Sequence, residues 1–195
     1  MDFVLTVLGA NSATPLPNRY PSSFVLRYDR ESFLLDCGEG CQMKMQEFNV
    51  RPSKINHVFI THLHGDHLFG LPGFLNSLNH HGRKKALKIF GPSGLRAFIE
   101  SIISTTHASF GYSIKIVEIT RPTYHLLDHI GNLQVYCLPL KHRIPTYGYV
   151  FREKIDEINV RKEAIETYGL SIAEIKEIKS GNDVIREGKV IPKNK

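Results

Sequence analysis

Apolar and polar positions alternate in short runs along most of this chain, and the runs are separated by Gly, Pro, Ser and Asn. Residues 2–8 (DFVLTVL), 24–29 (FVLRYD) and 32–38 (SFLLDCG) read as strands, the last two forming a hairpin across Arg30-Glu31. The segment between, GANSATPLPNRYPSS, is a loop by composition. A helix is predicted over 39–48 (EGCQMKMQEF) and a short buried strand at 57–60 (HVFI). Residues 68–81 keep helical spacing, although Gly70, Pro72 and Gly73 blur it. Strand LKIFG, helix PSGLRAFIESIIS with Ser93 as its N-cap, and strands YSIKIVEI, LQVYCLPL and YGYVFR complete the pattern. Strands with interleaved helices predict a layered α/β domain.

The pattern changes after Arg152. Residues 153–195 are charged, poor in aromatics and free of histidine. Ser171 and Glu174 have capping-box spacing, and Gly169 and Gly181 suit helix ends. Two short amphipathic helices are predicted there, so the chain divides into a core, 1–152, and a helical appendage, 153–195. A length of 195 residues, 42% hydrophobic and 23% charged, fits one soluble domain with such an appendage. No apolar run is long enough for a transmembrane helix, and Asp2 with no basic flank does not open a signal peptide. The expectation is a cytoplasmic protein with no membrane partner. Cys37, Cys41 and Cys137 are odd in number and read as small buried thiols. The net charge of +6 lies wholly before residue 153, because the appendage holds nine basic and nine acidic residues. A polyanion would therefore bind the core.

The dense chemistry lies in THLHGDH, residues 61–67. His62, His64, Asp66 and His67 put three imidazoles and a carboxylate within six positions, just after a strand. Residues two apart can face the same way, so His62 and His64 can share one metal, with Asp66 and His67 serving another. Gly65 would let the backbone bend between the pairs. Nitrogen with carboxylate oxygen suits Zn²⁺, Mn²⁺ or Fe²⁺, and the lack of cysteine favours an open, catalytic site over a closed structural one. A third imidazole must come from elsewhere. His142 follows a strand end, with His57, His80, His81, His107, His125 and His129 as competitors.

These residues resemble a known family. THLHGDH has the HxHxDH signature of the metallo-β-lactamase superfamily. LGANSATPLPNRYPSS, LLDCGEGCQMKMQ, IFGPSGL and LKHRIPTYGYVF, in that order, are similar to ribonuclease Z, the tRNA 3′-processing endonuclease. The resemblance covers about residues 1–152. It implies a four-layered αββα sandwich, represented here by its N-terminal half and the protruding arm, and two Zn²⁺ ions per intact subunit. It implies His62, His64 and His142 as ligands of the first zinc, Asp66 and His67 as ligands of the second, and Asp66 as proton acceptor. It also implies precursor tRNA as substrate, cut to leave a tRNA 3′-hydroxyl and a 5′-phosphate on the trailer, and a homodimeric assembly.

Cys41 stands where the family usually has Thr, and the appendage lacks the Gly-Pro-rich motif of the family's arm. The family's bridging aspartate and its remaining histidines follow the arm, whereas no histidine follows His142. The expectation is an N-terminal portion of a longer protein, holding one zinc weakly or none and not cleaving RNA alone. Beside such a motif, Arg83, Lys84, Lys85 and Lys88 become candidate phosphate contacts, and Asp36 and Glu39 candidate partners that orient the imidazoles. The rival readings are another hydrolase of the superfamily, of phosphodiesterase, arylsulfatase or thioesterase type, and a non-catalytic RNA-binding module.

Overall fold

A six-stranded sheet in the order β1-β2-β3-β4-β5-β6 carries the site. In the computed structural model, which describes residues 3–154, 160–186 and 189–191, its strands are β1 (Phe3–Gly9), β2 (Ser23–Tyr28), β3 (Glu31–Leu35), β4 (Ile55–Phe59), β5 (Leu87–Pro92) and β6 (Ile114–Ile119). β1, β2 and β3 are antiparallel neighbours, and the hairpin expected between β2 and β3 turns at Asp29-Arg30. From β3 to β6 the pairing is parallel. Parallel strands end at one edge, and ligand-binding loops gather outside those carboxyl ends.

Side chains alternate across this sheet as its period of two requires. Leu34, Val58 and Ile89 face one way, into a core with Leu68, Leu71, Phe74, Leu75, Leu78, Leu95 and Ile99 of the helical layer. The helices are α1 (Cys41–Glu47), α2 (Gly65–Leu68), α3 (Leu71–His80) and α4 (Leu95–Thr106), with a 3₁₀ turn at Pro52–Lys54. Phe33, Phe59 and Phe90 face the other way, with Phe59 stacked on Phe90 at 4.7 Å between ring centroids. Against them lies β9 (Thr146–Glu153), whose Phe151 sits 5.2 Å from both Phe33 and Phe59. β9 belongs to a second sheet, β7-β8-β9, with β7 at His125–Ile130 and β8 at Leu133–Leu140.

The chain forms two compact units, Met1–Asp128 with Val135–Phe151, and His129–Gln134 with Arg152–Lys195. The second unit holds α5 (Lys162–Tyr168), α6 (Ile172–Lys179) and the hairpin β10 (Val184–Arg186)–β11 (Lys189–Ile191). Its own small core is Leu170, Ile178 and Val184. Ser171 and Glu174 form the expected capping box, and Gly169 ends α5 with a left-handed φ of 56°.

Three elements away from the histidine motif differ from the sequence expectation. The N-cap of α4 is Gly94, at φ 99°, and Ser93 makes no cap hydrogen bond. Instead, Glu118 accepts from the backbone N–H of Gly94 and Arg96, so an acid on β6 supplies what Ser93 was expected to supply. β7 was not foreseen, because His125, Asp128 and His129 interrupt its apolar spacing. The β10–β11 hairpin was not foreseen either, its strands being three residues long.

Candidate metal centre

The carboxyl ends of β3 and β4 place the functional groups. Asp36 follows β3 and donates its N–H to Phe59 O at 2.8 Å; Ile60 follows β4 and donates to Phe90 O at 2.8 Å. Beyond Ile60 the chain leaves the sheet as Thr61-His62-Leu63-His64, and Asp66 and His67 fall in the single turn of α2. Gly65 opens α2 without a left-handed backbone, so the bend expected there is replaced by the start of a helix. Gly38 and Gly70 are needed for close approach. A Cβ on Gly38 would stand 2.5 Å from Asp66 O, and one on Gly70 2.2 Å from Gly38 O. The 36–40 loop can thus press on α2, where Cys37 N–H donates to His67 O and Cys37 O accepts from Gly70 N–H, both at 2.8 Å.

His142 comes from the turn before β9, 78 residues beyond His64, and its Nε2 lies 3.4 Å from His64 Nδ1. The ligand atoms of His62, His64 and His142 all fall within 4.8 Å of one another. A tetrahedral cation with bonds of about 2.0–2.1 Å spaces its nitrogens roughly 3.4 Å apart, so three converging imidazoles fit such a metal. The competing histidines stay apart from this group. His80 and His81 meet edge to face, His107 ends α4, His57 is half-buried on β4, and His125 lies against Cys137.

Asp66 and His67 sit beside the trio. The His67 ring is 4.0 Å from that of His62, and His67 Nε2 is 3.7 Å from Asp66 Oδ2. Asp66 Oδ2 accepts from Ala13 N–H at 2.8 Å, which brings the first loop into the site. Ala13 holds a left-handed φ of 62° to make that bond.

Behind the imidazoles lies one buried carboxylate. Asp36, 3% exposed, accepts from His67 Nδ1 at 2.6 Å, from Thr61 N–H at 2.7 Å and from Thr61 Oγ1 at 3.0 Å. With Thr61 Oγ1 donating to Asp36, the same oxygen, 2.9 Å from His62 Nδ1, accepts that ring's proton. Both His62 and His67 then carry hydrogen on Nδ1, a tautomer that leaves Nε2 free to bind a metal. Burial and neighbouring His67 push His62 down to about 4, so the ring is neutral at pH 7. Burial works to lower His67 too, but Asp36 outweighs it and raises the pKa. Burial works to raise Asp66, yet the Ala13 amide and the His67 and His62 rings hold its carboxyl below the usual value.

The remaining candidates fall elsewhere. Glu39 is exposed, and no described hydrogen bond joins it to the imidazoles. Arg83 is 9% exposed and turned inward, donating to the backbone oxygens of Ile55, Lys85 and Ala86 and to Asn56 Oδ1. Its guanidinium is thereby taken out of the basic group open to a phosphate. Lys88 pairs with Asp128 at 2.7 Å. Lys84 and Lys85 are exposed. Thr61 and Ala13, which sequence reasoning passed over, carry no spacing signal of their own.

A sheet of this order with HxHxDH and a distant histidine at its carboxyl edge defines a metallo-β-lactamase fold with a candidate metal centre. Residues 3–155 match the family model described as Anti-Pycsar protein Apyc1. Ribonuclease Z of Parabacteroides distasonis is 37% identical over 98% of this chain, and that of Methanococcus maripaludis 38% identical over 96%. The short form of human tRNase Z superposes with a TM-score of 0.72 at 30% identity, covering 90% of this chain and 82% of that one. The metallo-β-lactamase-fold protein YhfI of Bacillus subtilis, with a TM-score of 0.60 at 18% identity, shares the fold. The similarity to the ribonuclease Z relatives continues through the second unit, while the Apyc1 match stops at 155. The chain belongs to the ribonuclease Z family. It spans 63% of the length of the Parabacteroides relative and 61% of the Methanococcus one.

Proposed function

We propose that this chain carries the first-metal half of a zinc-dependent centre, and that the protein's reaction is removal of the 3′ trailer from precursor tRNA by phosphodiester hydrolysis. The observation that carries the proposal is the convergence of His62, His64 and His142. Bound there, a divalent cation would lower the pKa of a water ligand and draw charge from a phosphate oxygen. Asp66 and His67 are the ligands offered to a second cation. Asp66, ionised at neutral pH, is the group placed to take the proton of the attacking water. Asp36 and Thr61 hold the His62 and His67 rings in the ligating tautomer. Lys84 and Lys85 line a cavity of about 630 Å³ with Gln42, Gln46, Ser77 and His81 and no acidic residue, which supports them as the phosphate contacts.

The second unit is the arm of this reading, a contact for the tRNA substrate. Among the described residues no helix is long and apolar enough to cross a membrane, and the cytoplasm stays the proposed location. A homodimer is part of the proposal, supported by exposed Met43, Phe48 and Phe69 in the helical layer.

With three ligands for one metal and two for another among the described residues, the 195-residue chain should hold one zinc weakly or none and turn over no substrate. Native mass spectrometry and a cleavage assay on 3′-extended tRNA test this, with light scattering for the dimer. Two tightly bound zincs with turnover would overturn the half-site reading, and a full-length protein that takes up no zinc would overturn the metal centre. The Apyc1 match favours one other reading, a phosphodiesterase whose substrate is not tRNA. Cleavage of bis-p-nitrophenyl phosphate by the full-length protein, with 3′-extended tRNA left intact, would select it.

A further inference from the structure

His142 must meet His62 and His64 to within a few tenths of an ångström, yet the two segments belong to different sheets and no strand ladder sets their spacing. Besides the 3.4 Å contact of His142 with His64, two hydrogen bonds among the described residues run from β9 to the residues before His62. Tyr149 Oη donates to Ile60 O at 2.7 Å, and Tyr147 N–H donates to Thr61 O at 2.9 Å. Both acceptors lie on the two residues that lead into His62. Those residues are also held from the far side, through Ile60 N–H on Phe90 O and Thr61 N–H on Asp36 Oδ1. Of the two β9 contacts, one is main chain, which any residue at 147 would make. The other depends on a tyrosine hydroxyl.

We propose that Tyr149 is a positioning residue of the metal centre: its hydroxyl fixes the distance between the His142 segment and the His62–His64 segment. The proposal rests on the metal-centre reading above. The ring of Tyr149 packs edge-on against Phe59 at 5.1 Å, a contact that phenylalanine would keep. Tyr149→Phe therefore removes one donor and little else, and Ile60 O loses its partner from β9. Burial, with Asp36 nearby, pushes the phenol well above its ordinary pKa, so the group remains a donor at any working pH. Without the bond, the Tyr147 main-chain contact would be the remaining hydrogen bond from β9 to the residues that lead into His62, with ring packing on Phe59 beside it, and the spacing of the three nitrogens would rest more on the metal itself.

Cobalt(II), titrated into the full chain in competition with a chromophoric chelator and followed by its visible d–d absorption, tests this. Wild type should bind one equivalent, and Tyr149→Phe about tenfold more weakly, with a changed band intensity, as when partners that orient metal ligands are lost elsewhere. Tyr147→Phe, which keeps its main-chain bond, should match wild type. A Tyr149→Phe affinity within twofold of wild type with an unchanged spectrum overturns the proposal, even if the metal-free melting temperature falls. A Tyr149→Phe chain that does not fold would assign the hydroxyl to the fold and overturn it equally. Wild type that takes up no cobalt would overturn the positioning role too, and full-length protein that takes up none would overturn the metal centre itself, a result distinct from either.

Discussion

Arg83 and its two neighbours show what a residue type in a sequence leaves open. Three basic side chains in a row suggested phosphate contacts, but the first is spent on four acceptors beneath the surface, and its guanidinium also lies over the Tyr112 ring at 5.5 Å. Arg83→Ala would leave Ile55, Lys85 and Ala86 carbonyls without that donor. Stability should fall by roughly 2–4 kcal/mol, read from the urea midpoint. Lys84→Glu with Lys85→Glu should cost under about 0.5 kcal/mol each, and in the full-length protein should flatten the salt dependence of RNA binding. An Arg83→Ala chain as stable as the double charge reversal would refute this division of labour. The same limit hid Thr61. A threonine before a histidine motif carries no periodic signal, and its part appears only once Asp36, 25 residues upstream, is beside it. His62 and His64 stood out because their imidazoles are clustered with Asp66 and His67, whereas His142 was one candidate among seven until the resemblance selected it; the direction in which Arg83 points carried no signal at all.

At the scale of elements, what could be read was what local chemistry dictates. The capping box at Ser171 and Glu174 needs only residues three apart. The hairpin that packs on it needed a partner no local pattern reveals. Arg186 on β10 donates to both Glu174 oxygens, at 2.7 and 2.6 Å, and to the Tyr168 and Gly169 carbonyls at the end of α5. One arginine thus ties both helices of the second unit to its hairpin. The Arg186 hydrogen bond, with the Ser171 amide and hydroxyl, lowers Glu174 from 4.5 to about 2. A carboxyl whose folded pKa is depressed contributes stability above its unfolded value and loses it as pH falls through the folded one. The clip should therefore hold above pH 4.5 and be lost between there and about 2. Amide exchange across residues 171–186 should show that loss in wild type, while Glu174→Gln should lack the pH step. A wild-type profile that parallels the glutamine variant would remove Glu174 from this role.

For the whole molecule, alternation predicted strands and resemblance predicted the fold, but neither predicts which strands touch. The parallel run β3-β4-β5-β6 is what brings Asp36 beside Thr61 and opens one edge for the ligands. His142 then arrives from another sheet, and the site exists only when both layers are in place. A metal bound by His62, His64 and His142 is accordingly a cross-link between segments about 80 residues apart, and its binding free energy adds to the stability of that packing. Zinc at 100 times its Kd should stabilise the chain by about 2.7 kcal/mol. For a domain of this size that is a rise of roughly 5–10 °C in Tm. His142 is exposed, so His142→Ala should leave the metal-free melting temperature near wild type while abolishing most of the zinc-dependent rise. Melting curves with zinc and with a chelator decide the matter. A rise that survives intact in His142→Ala would mean that the metal sits on the α2 loop alone and does not join the two layers.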